Sequence, residues 1–94
     1  MSSYPENFAY QIRGEIHAYE DIYLCMEKIM QAIKEGVAID DLVSALTSTL
    51  PHTEESDIKY DVLCDLLDYM TGWYSYSPKD SKEQLFASFC EQVR

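Results

Sequence analysis

Basic residues are scarce in this chain, and the charge balance limits what it can bind. Seven Lys and Arg stand against 17 Asp and Glu, which gives a formal net charge of −10 over 94 residues. A protein this acidic is repelled by nucleic-acid phosphates and by anionic membrane surfaces. We therefore expect no direct nucleic-acid or membrane binding, and we expect the partner to be a basic protein.

Turn residues and long apolar runs are also few. The chain has three Gly and three Pro, too few for an architecture of strands and turns. No stretch approaches the roughly eighteen apolar residues of a membrane span. The opening MSSYPENFAY lacks a basic start followed by an apolar run, so we expect no signal peptide.

The residue types that perform enzyme and metal chemistry are sparse and scattered. His17 and His52 are the only histidines, and neither starts a recognisable metal-ligand motif. Cys25, Cys64 and Cys90 are isolated and odd in number, which favours reduced thiols in a cytoplasmic protein. Carboxylates on an open helix face make poor general acids. We therefore predict a protein that is not an enzyme and that needs no metal or cofactor.

Carboxylates are abundant, and they form a pattern in the stretch EESDIKYDVLCDLLDYMTGW, residues 54–73. At 3.6 residues per turn, one helix face is apolar and the opposite face holds five carboxylates within roughly 80° of one another. We call this set the carboxylate stripe: Glu54, Asp57, Asp61, Asp65 and Asp68. Since no Lys or Arg interrupts it, the stripe is either a solvated face or a preformed anionic surface for a basic partner.

Three further segments have helical periodicity. A heptad-like seam from Phe8 to Ile33 predicts a long first helix, with Gly14 as the point where it would bend or break. The second helix is predicted over Ile39 to Leu50, and the third begins after Thr53 as its N-cap. The last begins near Asp80, and its predicted apolar face consists of Leu85, Phe86, Phe89, Cys90 and Val93. We expect an all-α, small four-helix bundle with a long first helix, forming one domain over residues 1–94.

The segment WYSYSP, which follows the third predicted helix, has the composition of a binding loop. Tyrosine offers a large contact area at low entropic cost, and serine adds adaptable hydrogen bonding. We expect Trp73, Tyr74 and Tyr76 to contact a partner, with packing of Trp73 under the end of the bundle as the alternative.

Two short stretches resemble bacterial inhibitors of toxic nucleases. The sequence LCDLL at residues 63–67, followed by MTGW at 70–73, resembles the inhibitory helix of the barstar family. SDIKY at 56–60 is similar to the acidic, tyrosine-bearing segment of the colicin-nuclease immunity proteins, which are small acidic four-helix proteins. The chain departs from both families elsewhere, since it lacks the β-strands of barstar and the glycine-serine turn and paired tyrosines of the colicin immunity proteins. The resemblance implies an inhibitory set of Asp57, Tyr60, Asp61, Asp65 and Asp68.

The function predicted from these patterns is stoichiometric inhibition, most concretely by an immunity protein that neutralises a basic, nuclease-type toxin. Its acidic helix face would cover the toxin's cationic site, and aromatic side chains would supply buried contact area. Two alternatives are a phage anti-defence protein that mimics nucleic acid and a small acidic secretion or assembly chaperone with an apolar groove. The sequence indicates neither the partner's identity nor the oligomeric state. The expected partner-binding residues are Glu54, Asp57, Tyr60, Asp61, Asp65, Asp68, Trp73, Tyr74 and Tyr76.

Overall fold

The computed structural model describes residues 4–72 and 81–93, and within these ranges the chain forms α-helices and no strands. The all-α prediction is confirmed. The predicted number of helices is wrong, because the described ranges contain five α-helices in place of four. They are α1 (Tyr4–Gly14), α2 (Ile22–Lys34), α3 (Ile39–Thr49), α4 (Ile58–Thr71) and α5 (Ser81–Val93), with 3-10 turns at Tyr19–Asp21 and Leu50–His52.

The additional helix arises because the predicted long first helix is two helices. α1 ends at Gly14, the residue at which a break was expected, and α2 begins at Ile22. In one straight helix, the buried face of α1 and that of α2 would point roughly 110° apart. A single core could not cover both faces in that arrangement. The bend at residues 15–21 turns the buried faces of α1 and α2 toward the same core. The buried residues are Phe8, Ala9 and Ile12 in α1, and Ile22, Cys25, Met26, Ile29 and Ala32 in α2.

The helices pack around one hydrophobic cluster to which all five contribute. α1 packs mainly on α3, α4 packs on α5 and α3, and α2 packs on α5. α4 is therefore held along its apolar side by two neighbouring helices, which fixes the direction in which its opposite face points. Among the described residues, no helix is long and apolar enough to cross a membrane.

Local chemistry sets the ends of α4, the helix of the carboxylate stripe. Asp57 is the N-cap, and its side chain accepts a 2.9 Å hydrogen bond from the Lys59 N–H. Gly72 ends the helix with a φ of 77°, a left-handed conformation that suits glycine. The predicted N-cap Thr53 is wrong, because its hydroxyl is buried and donates to the Thr49 carbonyl at 2.9 Å. α4 therefore begins at Ile58, several residues later than expected.

The apolar faces of α4 and α5 differ in part from the predicted ones. Phe86 and Cys90 are buried as expected, but Leu85 and Val93 are 64% and 41% exposed. Tyr69 on α4 was not predicted as core, yet it is buried, and its hydroxyl donates to Glu83 at 3.1 Å. That hydrogen bond links α4 to the first turn of α5.

Candidate partner-binding surface

Three carboxylates of the stripe remain together on the outer face of α4. At about 100° and 1.5 Å per residue, they lie within roughly 60° of one another along about 10 Å of helix. The side chains of Asp61 and Asp68 are exposed, and Asp65 is half-buried. We call Asp61, Asp65 and Asp68 the acidic ridge.

The remaining members of the stripe have other roles. Asp57 caps α4, so its carboxylate is occupied by the helix's own backbone. Glu54 lies in the connector before α4, exposed but off the helix. The prediction that five carboxylates share one helix face is therefore wrong for these two, because α4 starts after both of them.

Lys59, the one basic residue of α4, is turned away from the ridge. Its ammonium donates to the carbonyl of Arg13 at 3.0 Å and to that of Ile16 at 2.6 Å. These carbonyls belong to the C-terminal end of α1 and the bend after it, where the helix dipole favours a positive charge. The ridge consequently has no cation of its own helix beside it.

Tyr19 joins the acidic ridge from a distant part of the chain. It lies in the 3-10 turn before α2, is 37% exposed, and donates its hydroxyl hydrogen to Asp65. Sequence reasoning missed it because Tyr19 falls on the heptad-like seam, which assigned it to the core. Its separation of 46 residues from Asp65 left no local signal of the contact.

Of the aromatic residues predicted to contact a partner, the structure describes only Tyr60. Tyr60 is half-buried on the flank of α4, where the charge of neighbouring Cys64, together with burial, raises the pKa of its phenol. Tyr60 therefore offers only part of its side chain to a partner. Trp73, Tyr74 and Tyr76 lie outside the described residues.

Burial first, and the negative charges of the ridge second, shift the pKa values of groups on this face. The Asp68 side chain is exposed, but partial burial of its carboxyl raises the pKa, and the charge of Asp65 raises it further. Burial also raises the pKa of the Cys64 thiol, with contributions from Asp68, Asp65 and Asp61 in that order. An incoming cation would relieve the part of both shifts that comes from the neighbouring carboxylates.

No protein-family model, curated protein or solved structure matches this chain. Within the described part of the chain, no group of three or more His, Cys, Asp or Glu side chains is arranged to hold a metal ion.

A second surface lies between α2 and α5. It is a groove of about 220 Å³, lined by apolar side chains and bordered by Glu27 and Lys82. The Lys82 ammonium lies 5.2 Å from the centroid of the Tyr23 ring, an arrangement suited to a cation–π interaction. Leu85, which is 64% exposed and outside the core, lines the groove from α5. Its apolar lining consists of Tyr23, Met26, Met30 and Leu85.

Proposed function

We propose that this protein is a stoichiometric inhibitor that binds a basic protein through the acidic ridge of α4. In its most concrete form it is an immunity protein that covers the cationic site of a nuclease-type toxin. The observation that supports the proposal most directly is the geometry of α4: three carboxylates point outward together, while Lys59 is turned inward onto Arg13 and Ile16.

The energetics of the ridge favour a binding role over simple solvation. Asp61 and Asp65 are four residues apart, and Asp65 and Asp68 are three apart, so like charges are neighbours on the helix. Such pairs destabilise a helix by a few tenths of a kcal/mol each. A surface that served only solubility would mix signs and avoid this cost. A cationic cleft would instead convert the repulsion into attraction on binding.

The proposed mechanism is occlusion by a rigid surface. The inner face of α4 is buried against the core, which holds the three carboxylates in place before the partner arrives. In a nuclease cleft they would occupy the positions where substrate phosphates bind. Tyr19 would lie at the edge of the contact, where an aromatic ring beside a carboxylate supplies apolar area and hydrogen bonding together.

The proposal is tested with the double variant Asp61→Asn, Asp68→Asn, which leaves the Tyr19–Asp65 hydrogen bond intact. The matched control is Asp40→Asn, Asp41→Asn, which removes the same charge from exposed positions in the first turn of α3. Partners are captured from the source organism's lysate, identified, and titrated calorimetrically against each purified protein. We expect the control to bind as the native chain does and the ridge variant to lose roughly a hundredfold or more in affinity. Equal binding by all three proteins would contradict the proposal.

The α2–α5 groove favours a second candidate, a secretion or assembly chaperone. Leu85 is 64% exposed within an apolar lining, and chaperones of this kind bind segments of their substrates through apolar surfaces. Leu85→Asp separates the two functions in the same titration. A chaperone would lose its partner through Leu85→Asp and keep it in the ridge variant, whereas the proposed inhibitor would show the reverse.

A further inference from the structure

The bend between α1 and α2, residues 15–21, is held by side chains of α4 and α2 and by one of its own side chains. The Lys59 ammonium of α4 donates hydrogen bonds to the carbonyls of Arg13 and Ile16. Asp21 accepts hydrogen bonds from the N–H groups of His17 at 2.8 Å and Ala18 at 3.0 Å. Lys28 of α2 pairs with Glu15 at the start of the bend. These contacts form only when the chain is bent.

The bend's own sequence does not prevent a helix. No proline occurs between Pro5 and Pro51, and no glycine between Gly14 and Gly36. Gly14 itself is helical, and a Cβ added there would meet nothing within 4 Å. The bent conformation therefore depends on tertiary contacts, and a continuous helix from α1 into α2 is the local alternative.

A continuous helix does not fit within one copy of the chain. Residues 4–34 in a single α-helix would extend about 46 Å. The longest dimension of the folded molecule is 33 Å. Straightening would therefore carry α1 away from α3, the helix on which it mainly packs, and would expose both apolar faces. The surface that complements α1 is then the vacated face of α3 in a second copy.

We propose that α1 is exchanged between two copies of this chain, and that the hydrogen bonds of Lys59 to the bend stabilise the monomer against this exchange. In the exchanged dimer, α1 and α2 form one helix, and each α1 packs on α3 of the other copy. The contact between α1 and α3 is the same in both forms, so only the contacts of the bend decide between them.

The Lys59 ammonium and a straight helix compete for the same two carbonyl acceptors. In a continuous helix, the carbonyls of Arg13 and Ile16 accept from the N–H groups of residues 17 and 20. Lys59 then loses both of its acceptors, and Asp21 loses the N–H groups of His17 and Ala18. Removing the Lys59 ammonium therefore destabilises the bent monomer and leaves the straight form unaffected.

The test uses Lys59→Met in the full chain, with the molar mass measured by light scattering during size-exclusion chromatography over a range of concentrations. We expect the dimer dissociation constant to fall by roughly tenfold or more, as the loss of hydrogen bonds to a charged group implies. Lys34→Met is the matched control: Lys34 lies 5.7 Å from the centroid of the Phe89 ring, remote from the bend, and its loss should leave the mass profile native.

A second substitution distinguishes exchange from ordinary association. Ala18 is extended, with φ −146° and ψ 165°, and Tyr19 is the first residue of the 3-10 turn, so Tyr19→Pro suits the backbone of the bend, although it removes the hydroxyl that donates to Asp65. The same proline breaks a straight helix. Adding Tyr19→Pro to Lys59→Met should therefore restore the monomer.

Two results would overturn the proposal. One is a Lys59→Met protein that is as monomeric as the native chain at every concentration. The other is a dimer that persists after Tyr19→Pro is added, which would indicate association through an exposed surface such as the α2–α5 groove. Should circular dichroism find Lys59→Met unfolded, Asp21→Ala releases the same bend without touching the core, and the same two results apply to it.

Discussion

At the scale of single residues, the positions of charged groups matter more than their number. Lys59 and Asp65 lie on the same helix, yet one turns inward to backbone carbonyls and the other accepts from Tyr19. Asp57 and Asp61 are also neighbours on the helix map, but the first is occupied as a cap. The fold therefore decides how much of each carboxylate is left for a partner: none of Asp57's capping oxygen, and only part of Asp65.

Asp68 provides a test of the field along the ridge. Its carboxyl has a raised pKa, chiefly through burial and then through Asp65, so ionisation of Asp68 opposes folding. Its neutral form gives stability that is fully present below the unfolded pKa and is lost as the pH rises through the folded pKa. We expect Asp68→Asn to stabilise the protein by a few tenths of a kcal/mol at neutral pH.

The measurement is urea unfolding of Asp68→Asn and the native chain at neutral pH and again below the unfolded carboxyl pKa of about 3.9. The difference in unfolding free energy should shrink towards zero in acid, where both side chains are neutral. Asp40→Asn is the control, because Asp40 lies in the first turn of α3 and its negative charge is favourable there. A neutral-pH gain for Asp40→Asn that matched the gain for Asp68→Asn would show that net charge, not the ridge, determines the effect.

At the scale of helices, the sequence pattern predicted correctly the features that depend on residues close together in the sequence. α3 and α4 were found because their apolar positions recur at helical spacing, and Gly36 and Gly72 end helices with φ of 111° and 77°. The features that were missed depend on tertiary structure. The mismatch in phase between α1 and α2, the Tyr19–Asp65 contact and the outward position of Leu85 arise only when helices meet.

Gly14, the last residue of α1, and Gly36, just after α2, offer a matched pair of substitutions. Gly14 ends α1 with no positive φ and no atom within 4 Å of an added Cβ, so Gly14→Ala should stabilise by up to about 1 kcal/mol. Gly36 has a φ of 111° and equal space, so Gly36→Ala should destabilise by about 1 to 2 kcal/mol through backbone strain alone.

Thermal unfolding followed by circular dichroism measures both changes. Neither added methyl group meets a neighbour. Changes in melting temperature of opposite sign would therefore assign the difference to backbone conformation. If both variants shifted the melting temperature in the same direction, the assigned conformation at one of the two positions would be wrong. Gly14→Ala also favours the continuous helix, so its molar mass is recorded under the same conditions.

At the scale of the whole molecule, the net charge of −10 and the acidic ridge act at different ranges. The overall charge attracts any basic protein from a distance, and the ridge selects a complementary site at contact. In 0.1 M salt the screening length is about 10 Å, close to the length of the ridge itself. Salt should therefore weaken the long-range attraction first and the contact between ridge and cleft much less.

This difference predicts how binding kinetics respond to salt. The association rate of the native chain with its basic partner should fall steeply between low and physiological salt, while the dissociation rate changes little. Asp40→Asn, Asp41→Asn should slow association modestly, because it lowers only the net charge. Asp61→Asn, Asp68→Asn, which makes the same change in net charge, should in addition raise the dissociation rate, because the partner's buried cations lose their counter-charges. Stopped-flow measurements at several salt concentrations separate the two rates. Identical kinetics for the two double variants would mean that the ridge acts only through its total charge, and the binding surface would then have to be sought at the α2–α5 groove.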